Sequence, residues 1–151
     1  MKYIPIIIAF LCATAVVAQN DTSDKKDRHA KIKALKVAHL TEQLNLTAEE
    51  AQKFWPIYNE YEEKMHDLRR SERKEVIGKI KNDLETMSDE EANKLIKKGI
   101  ELRSKEVSTY RMLIENLKGI IPPKKILLLR KAEEDFKRKL LERYKNKKGK
   151  K

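Results

Sequence analysis

The sequence predicts an all-α protein built from four helices. Glycine and proline, the residues that most often interrupt helices, number only four each in 151 residues. Charged residues make up 39% of the chain, and no stretch alternates apolar and polar residues over the length of a strand. Few helix breakers and many charged side chains together favour long, solvated helices over a β-sheet.

The first residues, 1–18, have the pattern of a cleavable signal peptide. Lys2 gives a positive start, residues 4–17 are almost wholly apolar, and Ala18 is a small residue at the expected cleavage site. The apolar run is shorter than the roughly 20 residues that a transmembrane helix needs. We therefore expect an exported protein, cleaved near Ala18. An uncleaved membrane anchor is the alternative.

The chain that remains after cleavage is basic and free of cysteine. Cys12 is the only cysteine, so the mature protein would have no disulfide and no thiol chemistry. Its net charge would be +10, because Lys2 is the only charged side chain lost from a total of +11. Residues 19–28 are polar without apolar periodicity, which predicts a disordered arm. A single helical domain over 29–144 and a basic tail over 145–151 follow.

The first helix is expected to begin near His29 and to end near Gln43 or Asn45. A capping box then opens the second helix. The side chain of Thr47 can accept a hydrogen bond from a first-turn amide, and the carboxylate of Glu50 can reach back to the amide of Thr47.

The second helix carries an apolar heptad stripe. Its members recur at alternating spacings of three and four and are Ala51, Phe54, Tyr58, Tyr61, Met65 and Leu68. Charged residues interrupt the stripe over 69–75, and apolar residues then resume as far as Leu84. The pattern predicts one helix from Ala48 to about Leu84, roughly 55 Å long and kinked by Pro56.

A second capping box, formed by Ser88 and Glu91, predicts the start of the third helix. Gly119 can end this helix, and Pro123 can begin a fourth that we expect to run to Tyr144. The predicted buried stripe of the third helix consists of Ala92, Ile96, Gly99, Arg103, Val107, Tyr110, Leu113 or Ile114, and Leu117.

The short link between the second and third helices predicts a long antiparallel helical hairpin in an elongated molecule. Folding the chain about Thr86 would bring the charged stretch of the second helix opposite Gly99 and Arg103. We therefore expect a polar contact there, such as Glu72 with Arg103. So long a helix cannot bury its whole stripe within so small a domain. An elongated monomer with an open face would solve this, as would the homodimer that we favour.

Two motifs resemble a known family. Leu46-Thr47-x-x-Glu50, followed by the aromatic segment 54–61, resembles the Spy/CpxP-like periplasmic proteins, above all the branch labelled sensor of an extracytoplasmic-function sigma factor. Residues 121–125 resemble the start of the last helix in that family. Glu50 replaces the glutamine of the family's Leu-Thr-x-x-Gln motif. We interpret the motif residues as structural: Leu46, Thr47, Glu50, Phe54, Pro56, Tyr58 and Tyr61.

The resemblance implies a periplasmic location and a curved, cradle-like dimer with a role in envelope stress. One such role is an ATP-independent chaperone that binds unfolded or misfolded proteins. Another is a regulatory sensor that binds one membrane partner in a sigma-factor pathway, and a metal-responsive sensor is a third.

The candidate surface for a client or partner lies at the start of the fourth helix. Residues 126–129 are four consecutive apolar residues, which point all round a helix, so one neighbour cannot bury them all. Ile126, Leu127 and Leu128 are therefore candidates. Trp55, which is offset by one position from its stripe, is another. Burial of the whole segment under the first helix or a dimer partner is the alternative.

Neither catalysis nor cofactor binding is predicted. The sequence has no nucleophile triad signature, phosphate-binding glycine loop or metalloprotease motif. His29, His39 and His66 show no metal-ligand spacing, although Glu62 and His66 could share one helix face. Export argues against nucleic acid as a partner, and the basic tail over 145–151 is suited at most to weak contact with anionic lipid.

Overall fold

The computed structural model describes residues 17–148, and it describes side chains from 27 to 146. Its helices are α1 (Val17–Gln43), α2 (Ala48–Ser71), α3 (Gly78–Asp83), α4 (Asp89–Leu117) and α5 (Pro123–Lys148). A π-helical turn, Glu72–Ile77, joins α2 to α3 without a break, so the described chain forms four helical rods. The all-α, four-helix prediction is confirmed. The predicted signal peptide lies almost wholly outside the described residues.

Helix α1 begins earlier than the sequence predicted. It starts at Val17 and runs through residues 19–28, where we predicted a disordered arm. No glycine or proline lies between residues 17 and 43, so nothing in the backbone stops the helix from extending. It ends at Gln43, as predicted, and Asn45 adopts the left-handed conformation with φ 45°. The last helix is also longer than predicted, since α5 continues past Tyr144 to Lys148.

The long second rod contains a π-helical turn that the sequence did not predict. The backbone amide of Gly78 donates to the carbonyl of Arg73, five residues earlier. A Cβ atom at position 78 would lie 3.3 Å from that carbonyl oxygen, which is a tight contact. The turn includes Glu72 and Glu75, the charged residues that interrupt the apolar stripe. The π-helical turn adds one residue to a single turn of the rod. The apolar residues that follow it therefore lie on a different face from the apolar stripe of α2.

Helices α2 and α4 pack against each other as an antiparallel hairpin. The rings of Tyr61 and Tyr110 have centroids 6.2 Å apart, and further out Glu75 pairs with Lys98 at 3.1 Å. The predicted polar contact therefore exists, but Lys98 and Glu75 make it. The prediction of Glu72 with Arg103 was wrong, because Arg103 pairs at 2.6 Å with Glu106 on its own helix.

The predicted buried stripe of α4 is correct at the C-terminal end of the helix and wrong toward its N-terminus. Leu113 and Leu117 are buried, as predicted. Ile96 and Val107, which we also predicted to be buried, are exposed. Leu102 and Thr109 are buried in their place. In that part of the helix the two stripes differ by about one residue, or 100° around the helix. Apolar residues occupy both stripes, and the stripe that faces the aromatic residues of α2 is the buried one.

The hydrophobic core lies toward one end of the hairpin. Helices α1 and α5 pack together there, with Nε2 of His39 3.1 Å from the carbonyl oxygen of Ala132. Core residues come from all four rods and are Leu40, Leu44, Phe54, Tyr58, Tyr61, Met65, Leu113, Leu117, Ile121, Ile126, Leu129 and Ala132. By contrast, no residue of the π-helical turn or of α3 is buried.

Candidate functional site

The motif residues at the start of α2 form the capping box that the sequence predicted. The amide of Thr47 donates to Oε2 of Glu50 at 2.8 Å, and the amide of Glu50 donates to Oγ1 of Thr47 at 3.2 Å. Leu46 packs on the edge of the core, and Pro56 lies exposed inside α2. These contacts give the motif a structural role.

Glu50 also holds the start of α5. Nζ of Lys125 donates to Oε2 of Glu50 at 2.6 Å and to the carbonyl oxygen of Asn45 at 2.6 Å. The hydrogen bond from Lys125, followed by that from the Thr47 amide, lowers the pKa of Glu50 below its ordinary value. The sequence analysis did not predict this ion pair, which connects the two elements that resemble the family.

The aromatic residues of α2 belong to the core. Phe54, Tyr58 and Tyr61 are buried, and the rings of Phe54 and Tyr58 stack with centroids 5.3 Å apart. Trp55 is half-buried, and its ring forms T-shaped contacts with the rings of Phe54 and Tyr58, with centroids 5.1 and 5.7 Å apart. Trp55 therefore contacts the core with part of its ring and leaves the rest at the surface.

The apolar run at the start of α5 is divided between core and solvent. Ile126 and Leu129 are core residues, so Ile126 is not available at the surface. Leu127 is 78% exposed and Leu128 is 44% exposed. Of the candidate surface residues, Leu127 and Leu128 thus form a small exposed pair, and Trp55 is set apart from them on α2.

A larger apolar surface lies at the far end of the α2–α4 hairpin. We call residues 72–100 the hairpin tip. Ile96 and Ile100 on α4 are 60% and 65% exposed. On each helix the exposed apolar residues recur at spacings of three or four, which places them on one face of that helix. We call these two helix faces together the apolar tip face, and its residues are Ile77, Ile80, Leu84, Ile96 and Ile100.

The hairpin tip also contains a polar groove between its two helices. Nζ of Lys98 forms a salt bridge with the carboxylate of Glu75 at 3.1 Å. Its hydrogen bond to Glu75 raises the pKa of the Lys98 ammonium group. Charged residues dominate the lining, which includes Glu75, Lys79, Asp83, Glu91, Lys94 and Lys98. None of the residues of the apolar tip face lines this groove. The charged groove and the exposed apolar residues therefore occupy different parts of the hairpin tip.

A cluster of polar groups lies in a cleft of about 700 Å³ between the α2–α4 and α1–α5 pairs. The hydroxyl of Tyr58 donates to Oε1 of Glu133 at 2.7 Å, and nearby Lys36 pairs with Glu62. Burial raises the pKa of the Glu133 carboxyl, while the Tyr58 hydrogen bond opposes that rise. Burial also raises the pKa of Tyr58. The sequence analysis did not predict this cluster, because Glu133 stands in a run of charged residues that suggests solvent.

The described residues contain no group of three or more His, Cys, Asp or Glu side chains placed to hold a metal ion. His39 is buried, with its ring centroid 5.6 Å from that of Phe136. His29 and His66 both line a cavity of about 400 Å³ beside Trp55. Among residues 17–148, no helix has the length and apolar character needed to cross a membrane.

Comparison of the chain with family models, curated proteins and solved structures found no match. The resemblance to the Spy/CpxP-like family therefore stays a prediction from the two sequence motifs.

Proposed function

We propose that this protein is an ATP-independent periplasmic chaperone that holds unfolded segments of other proteins on its apolar tip face. The observation that carries the proposal is the exposure of five large apolar side chains at the hairpin tip. Exposed apolar side chains gathered in one region of a protein surface typically mark sites of interaction. Unfolded chains present apolar side chains of many shapes, which a shallow surface can bind without a fitted pocket.

The charge around the apolar tip face suits this role. Residues 69–106 contain eleven Lys or Arg and nine Asp or Glu, a net charge of +2. Positively and negatively charged side chains both surround the apolar residues. The surface can therefore stay solvated and does not select clients of one charge. No cofactor enters the proposed mechanism, since binding relies on apolar contact alone.

The test measures aggregation of chemically unfolded clients by light scattering, with the mature chain, residues 19–151, added at increasing ratios. We expect suppression near equimolar amounts and without nucleotide. The double variant Ile96→Gln/Ile100→Gln should weaken suppression at least about tenfold. Complete burial of an apolar side chain of this size contributes roughly 1.5–3 kcal/mol, and partial burial of the two together on a shallow surface still contributes the roughly 1.4 kcal/mol that a factor of ten requires. Its melting temperature should not change, since both side chains are exposed.

The matched control is the double variant Leu127→Gln/Leu128→Gln, which removes two exposed leucines from α5. We expect it to suppress aggregation like the parent chain. If this control loses activity and the variant at the hairpin tip does not, the client surface lies on α5 instead. Failure of the parent chain to protect any of several clients would contradict the chaperone proposal and favour a sensor with one membrane partner.

A further inference from the structure

The far end of the α1–α5 pair has a charge quite unlike that of the hairpin tip. We call residues 27–36 of α1 and 137–148 of α5 the basic end. Together they contain eleven Lys or Arg and only two acidic residues, a net charge of +9. The hairpin tip, by contrast, lies in a segment that is nearly balanced in charge. Residues 17–148 have a net charge of +8, so the basic end accounts for all of the net positive charge of the described chain.

The basic end also contains an open apolar groove between its two helices. A cavity of about 870 Å³ has apolar walls formed by Ile32, Leu35, Leu140 and Tyr144. Leu35 and Tyr144 are each about two-fifths exposed. The groove continues into a second cavity that shares Leu35 and Leu140. Helices α1 and α5 thus leave apolar side chains uncovered along their outer contact.

Cations line the sides of this groove. Arg28, Lys31 and Arg143 line the larger cavity, and Lys139 lines the smaller one. Asp27 and Glu42 are the acidic residues in the same linings. The arrangement is an apolar floor with a mainly positive rim, presented by two helices that lie side by side.

We propose that the basic end docks on the surface of an anionic phospholipid bilayer. The cations would bind the phosphates of the head groups, and the apolar floor would contact the upper part of the acyl chains. Amphipathic helices with Lys and Arg beside apolar residues bind membrane interfaces in this way. A nucleic acid would satisfy the cations but would leave Leu35 and Tyr144 in water, so the groove favours lipid.

The docking surface is separate from the apolar tip face, so the chain would bind lipid and client at different places. Failure of one proposal therefore leaves the other intact. Every core residue lies between positions 40 and 132, so the mature chain, residues 19–151, retains the whole core. Using it also removes the apolar leader as a cause of lipid binding.

The experiment is sedimentation of this chain with vesicles of phosphatidylcholine alone, or with phosphatidylglycerol making up about a third of the lipid. We expect binding to the anionic vesicles only, and release at high salt. The variant Lys31→Gln/Lys139→Gln/Arg143→Gln should bind about 100-fold more weakly, because each removed cation near the surface weakens binding several-fold.

The matched control is Lys74→Gln/Lys81→Gln/Lys97→Gln, which removes the same charge from exposed positions of the hairpin tip. It should bind the anionic vesicles like the parent chain. An equal loss in both triple variants would overturn the proposal, since it would show attraction by net charge alone. Tighter binding to a short RNA duplex than to the vesicles would overturn it as well.

A fluorescence measurement tests the apolar floor. In the variant Tyr144→Trp, emission should shift to shorter wavelength when anionic vesicles are added, because the new indole would enter an apolar layer. Trp55, the only native tryptophan, provides the background spectrum in the parent chain. Binding without a shift would overturn the claim that the groove contacts acyl chains.

Discussion

Replacing Tyr58 with phenylalanine would remove one hydroxyl from the junction between the two helix pairs. The Tyr58 side chain is 1% exposed, and its hydroxyl donates to Glu133 at 2.7 Å. The ring keeps its packing in the variant, because Phe54 and Trp55 contact the aromatic carbons and not the oxygen. The substitution therefore isolates a single hydrogen bond to a half-buried carboxylate.

The size of the effect follows from that geometry. A hydrogen bond to a charged group contributes roughly 1.5–3 kcal/mol, and an unsatisfied buried acceptor is costly to leave behind. We expect Tyr58→Phe to lower the free energy of unfolding by about 2 kcal/mol at neutral pH. For a domain of this size that corresponds to a fall in melting temperature of roughly 8 °C.

The same substitution should change how stability depends on pH. Burial raises the folded-state pKa of Glu133 above the ordinary 4.5, and losing the Tyr58 bond raises it further. A carboxyl group whose pKa is higher in the folded state than in the unfolded state stabilises the fold fully at pH values below its unfolded-state pKa. This contribution to stability is lost as pH rises through the folded-state pKa. The cost of Tyr58→Phe should therefore be largest at neutral pH and should shrink as pH falls toward 4.5.

Urea unfolding followed by circular dichroism at both pH values measures this difference. Tyr110→Phe is the control for the substitution itself, because Tyr110 is only half-buried beside the open cleft; we expect less than about 0.5 kcal/mol. In a Glu133→Gln background, the cost of Tyr58→Phe should no longer depend on pH. An equal cost at neutral and acidic pH in the native background would refute the reasoning.

Two further substitutions test the packing of α4. Leu113 is 2% exposed in the core, so Leu113→Ala should lower the free energy of unfolding by about 2–5 kcal/mol, measured by chemical unfolding. A loss under about 1 kcal/mol would mean that the stripe of α4 that contains Leu113 does not face α2. Among the residues whose side chains the structure describes, Arg103 pairs only with Glu106 on its own helix. Arg103→Ala should therefore change the melting temperature by less than about 3 °C. A large fall would instead support the predicted contact of Arg103 with the second helix.

Local signals in the sequence predicted the helix starts well. Thr47 with Glu50 and Ser88 with Glu91 each form both hydrogen bonds of a capping box. These contacts join residues only three apart, so the sequence contains everything that they require. Gly119 has φ 81° just after α4, which fits its predicted role at the end of that helix.

Contacts between helices were harder to predict. Ile96 and Leu102 lie on neighbouring stripes of α4, and spacing alone cannot decide which stripe packs on α2. The π-helical turn changes which residues after Ser71 share a face of the rod. A prediction that assumes a regular α-helix cannot include this change. Glu133 was missed for a related reason: its tyrosine partner lies 75 residues away, and only folding brings the two groups together.

The position of the core at one end gives the two ends of the α2–α4 hairpin different local stabilities. Amides in the π-helical turn and α3 are held by hydrogen bonds whose neighbouring side chains stay in contact with water. Such regions open without global unfolding, so their amide hydrogens exchange with solvent fastest. Substitutions there would also cost little folding energy. The hairpin tip can therefore tolerate substitutions, or rearrange locally around a client of the kind that we propose, while the core keeps the four helices assembled.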